Sequence, residues 1–230
     1  MSLYDIVQNL PDDKQRDAIQ KYKRCVMIAG PGSGKTYRLV LKIAYLLGQE
    51  IKPMQQIACI TYMNDAVREI ENRISQFGFE NDNRLFIGTV HKFCITAIIL
   101  PFKSIFLRDW SDNLHIADED IQLDILKSMY PSKGRRELKN LLKSIREIRI
   151  HQLFNEYHSF SKADAENSRV YLEKLRQQGY VDFDDIAIEA FRLVMTQPIV
   201  RNYLVARYPW LVIDEYQDLG RVFNALVSHL

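Results

Sequence analysis

The sequence predicts an α/β protein, a parallel sheet carrying an inserted all-helical block, and three observations predict it. Four short apolar runs, CVMIA (25–29), IACITY (57–62), LFIGTV (85–90) and WLVID (210–214), are rich in Val, Ile and aromatic residues and do not alternate. Strands covered on both faces read this way. A glycine-rich stretch, AGPGSGKT (29–36), joins the first run to a helical pattern. From about Ile95 to Leu204, between the third run and the fourth, apolar residues recur with helical spacing and no strand pattern.

Each element has its own justification. The segment from Lys35 to Leu47 places Leu39, Val40, Ile43, Leu46 and Leu47 on one helix face, with Gly48 as its expected stop. The segment from Asn64 to Phe77 repeats Val67, Ile70 and Ile74 at helical spacing. Alternating strands and helices of this kind make the start of a doubly wound sheet. The inserted block reads as the amphipathic helices IQLDILKSMY, ELKNLLKSIREI, SRVYLEKLRQQ and DDIAIEAFRLVM, punctuated by Pro101, Pro131, Gly134, Gly179 and Pro198. The expected organisation is 1–95 as the first part of the α/β domain, 96–204 as the insertion, and 205–230 as the domain's continuation.

Composition narrows the class. A 230-residue chain with 47% hydrophobic and 26% charged residues is long enough for a large core. A net charge of +2 does not demand a polyanionic partner, so any nucleic-acid surface must be local. Cys25, Cys59 and Cys94 form no CxxC pair, and two lie in apolar runs, which points to a reduced setting. No apolar segment approaches the roughly 20 residues of a membrane span. The expectation is a cytoplasmic chain without a membrane partner.

The glycine-rich stretch is built for phosphate. Gly30, Gly32 and Gly34 allow backbone conformations in which several N–H groups face one anion. The loop from Ala29 through Gly30, Pro31, Gly32, Ser33 and Gly34 would cradle the phosphates, and the helix that follows adds its positive end. Lys35 would reach the β- and γ-phosphates and the Thr36 hydroxyl would ligate Mg²⁺. Ala29 occupies the first position of the GxxxxGK[ST] pattern, a departure from its strict form. IDEYQD (213–218) supplies the complementary acids at a strand end: Asp214 for Mg²⁺, Glu215 to polarise an attacking water.

These residues, with QRDAI (15–19), ITYMNDAVREI (60–70), GTVHKF (88–93) and DFDDI (182–186), make the chain resemble the N-terminal half of UvrD/Rep-type superfamily 1 DNA helicases. The motifs stand in the family's order across nearly the whole chain. The resemblance implies a RecA-like P-loop NTPase sheet, with the insertion as the helical accessory subdomain, and ATP with Mg²⁺ as cofactors. It implies that Gln15 reads the adenine edge and that Gln217 senses the γ-phosphate and the water. It implies that Thr61, Tyr62, Asn64, Thr89, His91 and Phe93 face single-stranded DNA, near a duplex junction. DFDDI is expected to play a structural part, with Asp184 and Asp185 near a helix start.

The chain departs from the family at three points. Tyr37 stands where many members place Arg against the nucleotide, and Arg38 follows it as the candidate for that contact. Gly220 and Phe223 replace polar residues usual after the acidic motif. Nothing resembles the later motifs of a second RecA-like domain with its arginine fingers, so the chain by itself is expected to hydrolyse ATP very slowly. The resemblance implies 3′-to-5′ translocation in DNA repair or replication; the rival reading is a non-catalytic ATP- and DNA-binding module. A basic stretch from Lys133 to Arg149, with Lys133, Arg135, Arg136, Lys139 and Lys143, is expected to be a solvated helix face, with duplex contact as the sharper alternative.

Overall fold

The computed structural model describes residues 3–10, 12–21, 25–28, 30, 32–107, 110, 115–156 and 160–230. They group into two compact units. One runs through Phe93 and includes Arg201–Gly220 and Leu230; the other comprises Cys94–Val200 and Arg221–His229.

The first unit opens with helices α1 (Leu3–Gln8), α2 (Asp13–Gln20) and α3 (Lys35–Gln49). Asp12 caps α2 by accepting a hydrogen bond from Lys14 N. Strand β1 (Ile57–Thr61), helix α4 (Asn64–Ser75), strand β2 (Leu85–Thr89) and the short helix α5 (Val90–Phe93) follow. The segment returns late in the chain with β5 (Trp210–Ile213) and a 3₁₀ turn at Tyr216–Asp218. The sheet is parallel in the order β2–β1–β5, with Ile57 paired to both Leu85 and Trp210. All five residues of β1 are buried, as its central place requires. The apolar face of α3 (Leu39, Val40, Ile43, Leu46, Leu47) packs with Ile57 and Cys59 of β1 and Ile70 and Ile74 of α4 in one core. Leu41 turns the other way, to Val7 of α1 and Ile19 of α2.

Two expectations for this unit are corrected. Cys25–Ile28 form no strand: Val26 and Ile28 are 83% and 94% exposed, and among the described residues the sheet comprises β2, β1 and β5. An apolar run permits a buried strand without supplying the ladder partner that would make one. Nor does α3 stop at Gly48, since packing of Leu46 and Leu47 carries the helix on to Gln49. Ala29, the last residue of the expected first strand, lies outside the described residues.

The second unit opens with a π-helical stretch, Cys94–Ile99, continued by α6 (Leu100–Phe106). Its main helices are α7 (Glu119–Met129), α8 (Arg135–Leu153), α9 (Lys162–Gln177) and α10 (Phe183–Thr196). Leu123, Leu126, Leu138, Leu142, Ile145, Tyr171 and Leu175 form the shared core of α7, α8 and α9. The block is not wholly helical. Strands β3 (His115–Ile116) and β4 (Tyr180–Val181) pair in parallel, a feature too short to show a periodicity. After α10, Pro198 starts α11 (Pro198–Arg207), where a missing N–H costs nothing. The last helix, α12 (Gly220–Ser228), buries Val222, Phe223 and Leu226. Within the second unit Arg221, in this helix, pairs with Glu156.

DFDDI builds a buried ion cluster. Asp182 caps α10, accepting from Asp185 N at 2.7 Å, and receives Arg149 of α8 at 2.7 Å. Asp185 accepts from Arg149 at 2.9 Å and from Arg176 of α9 at 3.2 Å. Burial alone would pull the Arg149 pKa down; Asp182 and Asp185 more than offset it and raise the value. The basic stretch is likewise engaged, with Arg135 on Asp120, Lys139 on Glu119 and Arg146 on Asp184. Arg149→Ala would leave buried Asp182 without a cation and Asp185 with Arg176 alone, and the expected loss is about 3–5 kcal/mol, read as faster hydrogen exchange across α8 and α10. Arg169→Ala, which removes only exposed pairs to Glu166 and Glu173, should leave that exchange unchanged.

Candidate functional site: a phosphate loop facing an acidic strand tip

The loop before α3 is shaped by glycine. Gly32 and Gly34 hold φ at 72° and 77°, a left-handed region costly for other residues. Ser33 closes the loop locally: its N and Oγ both donate to the Gly30 carbonyl, at 3.3 and 2.7 Å. Gly34 is the N-cap of α3, and the first bond of the helix ladder runs from Arg38 N to Gly34 O at 3.2 Å. The N–H groups of Lys35, Thr36 and Tyr37 thus precede the ladder and point out of the helix start. Pro31, like Ala29, lies outside the described residues.

The sheet brings the acids to this loop. Asp214 N donates to Ile60 O at 2.9 Å, extending the β1–β5 ladder one residue beyond Ile213. Asp214 is buried, and its Oδ1 accepts from Glu215 N at 3.2 Å. Glu215 takes a left-handed backbone, φ 50° and ψ 50°, the one such residue among the described ones that is neither Gly nor Asn. That conformation costs of order 1–3 kcal/mol and turns the side chain of Glu215 away from the course of the strand. Its Oε1 lies 3.4 Å from Lys35 Nζ, and its Oε2 accepts from Gln217 Nε2. Residues remote in sequence therefore share one mouth.

The electrostatics of the two acids diverge. Burial, then the neighbouring charge of Glu215, hold Asp214 above the usual aspartate range, with Lys35 pulling it back. Hydrogen bonds from Gln217 and then Lys35 hold Glu215 below the usual glutamate range. Asp214 is a buried carboxylate short of positive charge. A carboxylate here, and a hydroxyl at Thr36 in the first turn of α3, are oxygen donors of the kind Mg²⁺ takes. The loop, Lys35 and the helix start fit a triphosphate in the same way.

The residues expected to face DNA divide. Thr61 and Thr89 are register partners at the carboxyl ends of β1 and β2. Beyond them Tyr62 and Asn64 are exposed, whereas Thr61 itself is buried. Thr89 accepts from Lys92 N through Oγ1, fixing the start of α5. His91 is half-buried, and burial lowers its pKa. Phe93 is fully buried, edge-on to Phe86 and Tyr208 at 5.6 and 5.4 Å, and presents no face for a base to stack on. Gly88 matters here by its size: a Cβ would meet the Phe86 ring at 2.8 Å.

Gln15 and Arg38 are half-buried and bonded to each other, Arg38 Nε to Gln15 Oε1 at 2.8 Å. A contact the sequence reading missed lies one turn on. Lys42, buried within α3, donates to Ile19 O at 2.8 Å and sits 4.5 Å from the Trp210 ring centre. Its signal was available as a lone lysine on the apolar side of that helix.

The chain matches the UvrD/REP helicase N-terminal domain family over residues 12–230. It is similar to a probable DNA helicase II homolog of Mycoplasma capricolum, 28% identical over 98% of this chain and 33% of that protein. It is similar to the ATP-dependent DNA helicase UvrD1 of Mycobacterium tuberculosis, 26% identical over 98% of this chain and 31% of the relative. With the ATP-dependent DNA helicase PcrA of Bacillus subtilis it shares 27% identity over 89% of this chain and 29% of the relative. The chain spans about a third of the length of these curated relatives.

Two outcomes are expected. Asp214→Asn removes a desolvated, repelled charge, so it should stabilise the nucleotide-free chain by about 0.5–2 kcal/mol while abolishing Mg²⁺-dependent nucleotide binding; thermal melts with and without Mg²⁺ and ATP read both. Glu215 has a lower pKa folded than unfolded, so its bonds to Gln217 and Lys35 contribute in full above the usual glutamate range. That contribution is lost as pH falls through the lowered value. In urea melts at stepped acid pH, wild type should lose more stability across this window than Glu215→Gln.

Proposed function

The chain belongs to the UvrD/REP helicase family, and on that premise we propose that it is the ATP-binding portion of a motor that moves along single-stranded DNA. The observation that carries this reading is the meeting of Lys35 with the Asp214–Glu215 tip across the end of the sheet. The unit containing the loop serves as a RecA-like domain, and the helical unit as its inserted accessory subdomain.

Mg²⁺·ATP supplies a γ-phosphoryl group whose transfer to water asks the protein for position and charge more than for covalent chemistry. Gln15 and the loop residues 29–34 bind the nucleotide, with Arg38 bonded to the Gln15 amide; Lys35 holds its β- and γ-phosphates. Thr36 and Asp214 would hold the metal. Lys35, drawn to the phosphates, leaves Glu215 with one hydrogen-bond donor fewer. Its carboxylate then regains basicity and orients the attacking water, with Gln217 beside it. At the carboxyl ends of β1 and β2, Tyr62 offers a ring to a base, and Asn64, Thr89 and His91 offer polar groups to the strand. Thr61 and Phe93 support that edge from beneath.

A second RecA-like domain, in cis or in trans, closes the site and contributes an arginine worth about 10³–10⁵ in rate. The family resemblance implies movement 3′ to 5′, duplex unwinding, and work in DNA repair or replication. The alternative is a module that binds ATP and DNA without turnover. Steady-state phosphate release with and without single-stranded DNA separates the two. The motor reading expects slow turnover that DNA stimulates and that Lys35→Ala abolishes; nucleotide binding with no turnover under either condition favours the module.

A further inference from the structure

Two ties hold α2 along α3: Arg38 Nε donates to Gln15 Oε1, and Lys42 Nζ donates to Ile19 O, each at 2.8 Å. On both helices the second tie lies one turn beyond the first, so a single register of α2 satisfies both. The Arg38 guanidinium also donates forward to the Ser33 carbonyl of the phosphate loop. Gly34 leaves room for it, since a Cβ there would stand 2.8 Å from the guanidinium nitrogen. One side chain thereby joins the phosphate loop to the Gln15 amide.

We propose that Arg38 is a positioning residue that sets base specificity, locking the Gln15 amide in the orientation that accepts adenine and rejects guanine. The proposal rests on the nucleotide-site reading above and deepens it. A guanidinium carries donors and no acceptor, so a neighbouring amide must turn its oxygen toward it. The flipped amide would set donor against donor. Locked this way, Oε1 keeps a second lone pair and the NH₂ group faces elsewhere. Adenine presents an amino donor at N6 beside an acceptor at N7, a pair that a fixed amide satisfies. Guanine presents acceptors at both O6 and N7, so one of them meets the fixed oxygen. The docking of α2 does not need Arg38, because Ile19 is buried against Val7 and Leu41 and Lys42 holds its carbonyl. Removing Arg38 therefore releases the amide without releasing the helix.

Calorimetric titration of ATP and of GTP, each with Mg²⁺, into wild type, Arg38→Ala, Gln15→Ala and the double variant tests this. Wild type should prefer ATP, and Arg38→Ala should cut the ATP-over-GTP ratio about tenfold, the value of roughly one net hydrogen bond. Gln15→Ala should lower the ratio as far, and the double variant no further. If Arg38→Ala weakens both nucleotides equally and leaves the ratio intact, its role is structural and the proposal fails. A wild type that binds both equally also overturns it while leaving the nucleotide site standing. A wild type that binds neither overturns the nucleotide-site reading and this proposal with it.

Discussion

The parallel ladder between β1 and β5 is the constraint on which the nucleotide end of this protein depends. A strand pair fixes register to the residue, and a slip by one would send each side chain to the opposite face. Because Ile60 pairs with Ile213 and its carbonyl takes Asp214 N, the first acid after the strand stands at the end of the sheet. The left-handed turn at Glu215 then sends the second acid to Lys35. Order in β5 thus becomes order in the charges, and the core of α3 against β1 keeps the lysine at the matching height.

Charge in the two units is spent differently. In the helical unit, cations and carboxylates are closed upon each other: Arg149 between Asp182 and Asp185, Arg135 and Lys139 on the acids of α7. In the sheet unit the charges at the loop are left unbalanced. Asp214 is buried beside a like charge, and Lys35 makes a longer, half-exposed contact with Glu215. An incomplete balance of this kind suits a site that must accept a ligand carrying both signs, a polyanion with its cation.

Much of this was legible in the sequence, for reasons that differ by element. The runs at Ile57, Leu85 and Trp210 read correctly because a parallel strand is apolar on both sides and bounded by turns. The loop and the acids stand out in the sequence because phosphate chemistry allows few residue types, and the fold brings Lys35 to Glu215. Cys25–Ile28 has the same composition as a strand and is not one, since pairing is a property of two segments and composition of one. Gly48 looked like a stop, but tertiary packing outweighed its local cost of about 1 kcal/mol. The two-residue strands β3 and β4 carry too few residues to show a pattern. The motif groups Phe93 with residues expected to face DNA, while its ring is buried edge-on to Phe86 and Tyr208. The bond between Gln15 and Arg38 joins residues 23 apart, and no local signal announces it.

The distribution of sulfur has a practical consequence. Cys59 and Cys94 are buried, and burial raises both thiol pKa values, that of Cys94 to about 12, so neither yields much thiolate near neutrality. Cys25 alone is exposed, a few residues before the phosphate loop. A maleimide dye would therefore attach to the unaltered chain at one place, and its fluorescence would report events at the loop without any engineered cysteine.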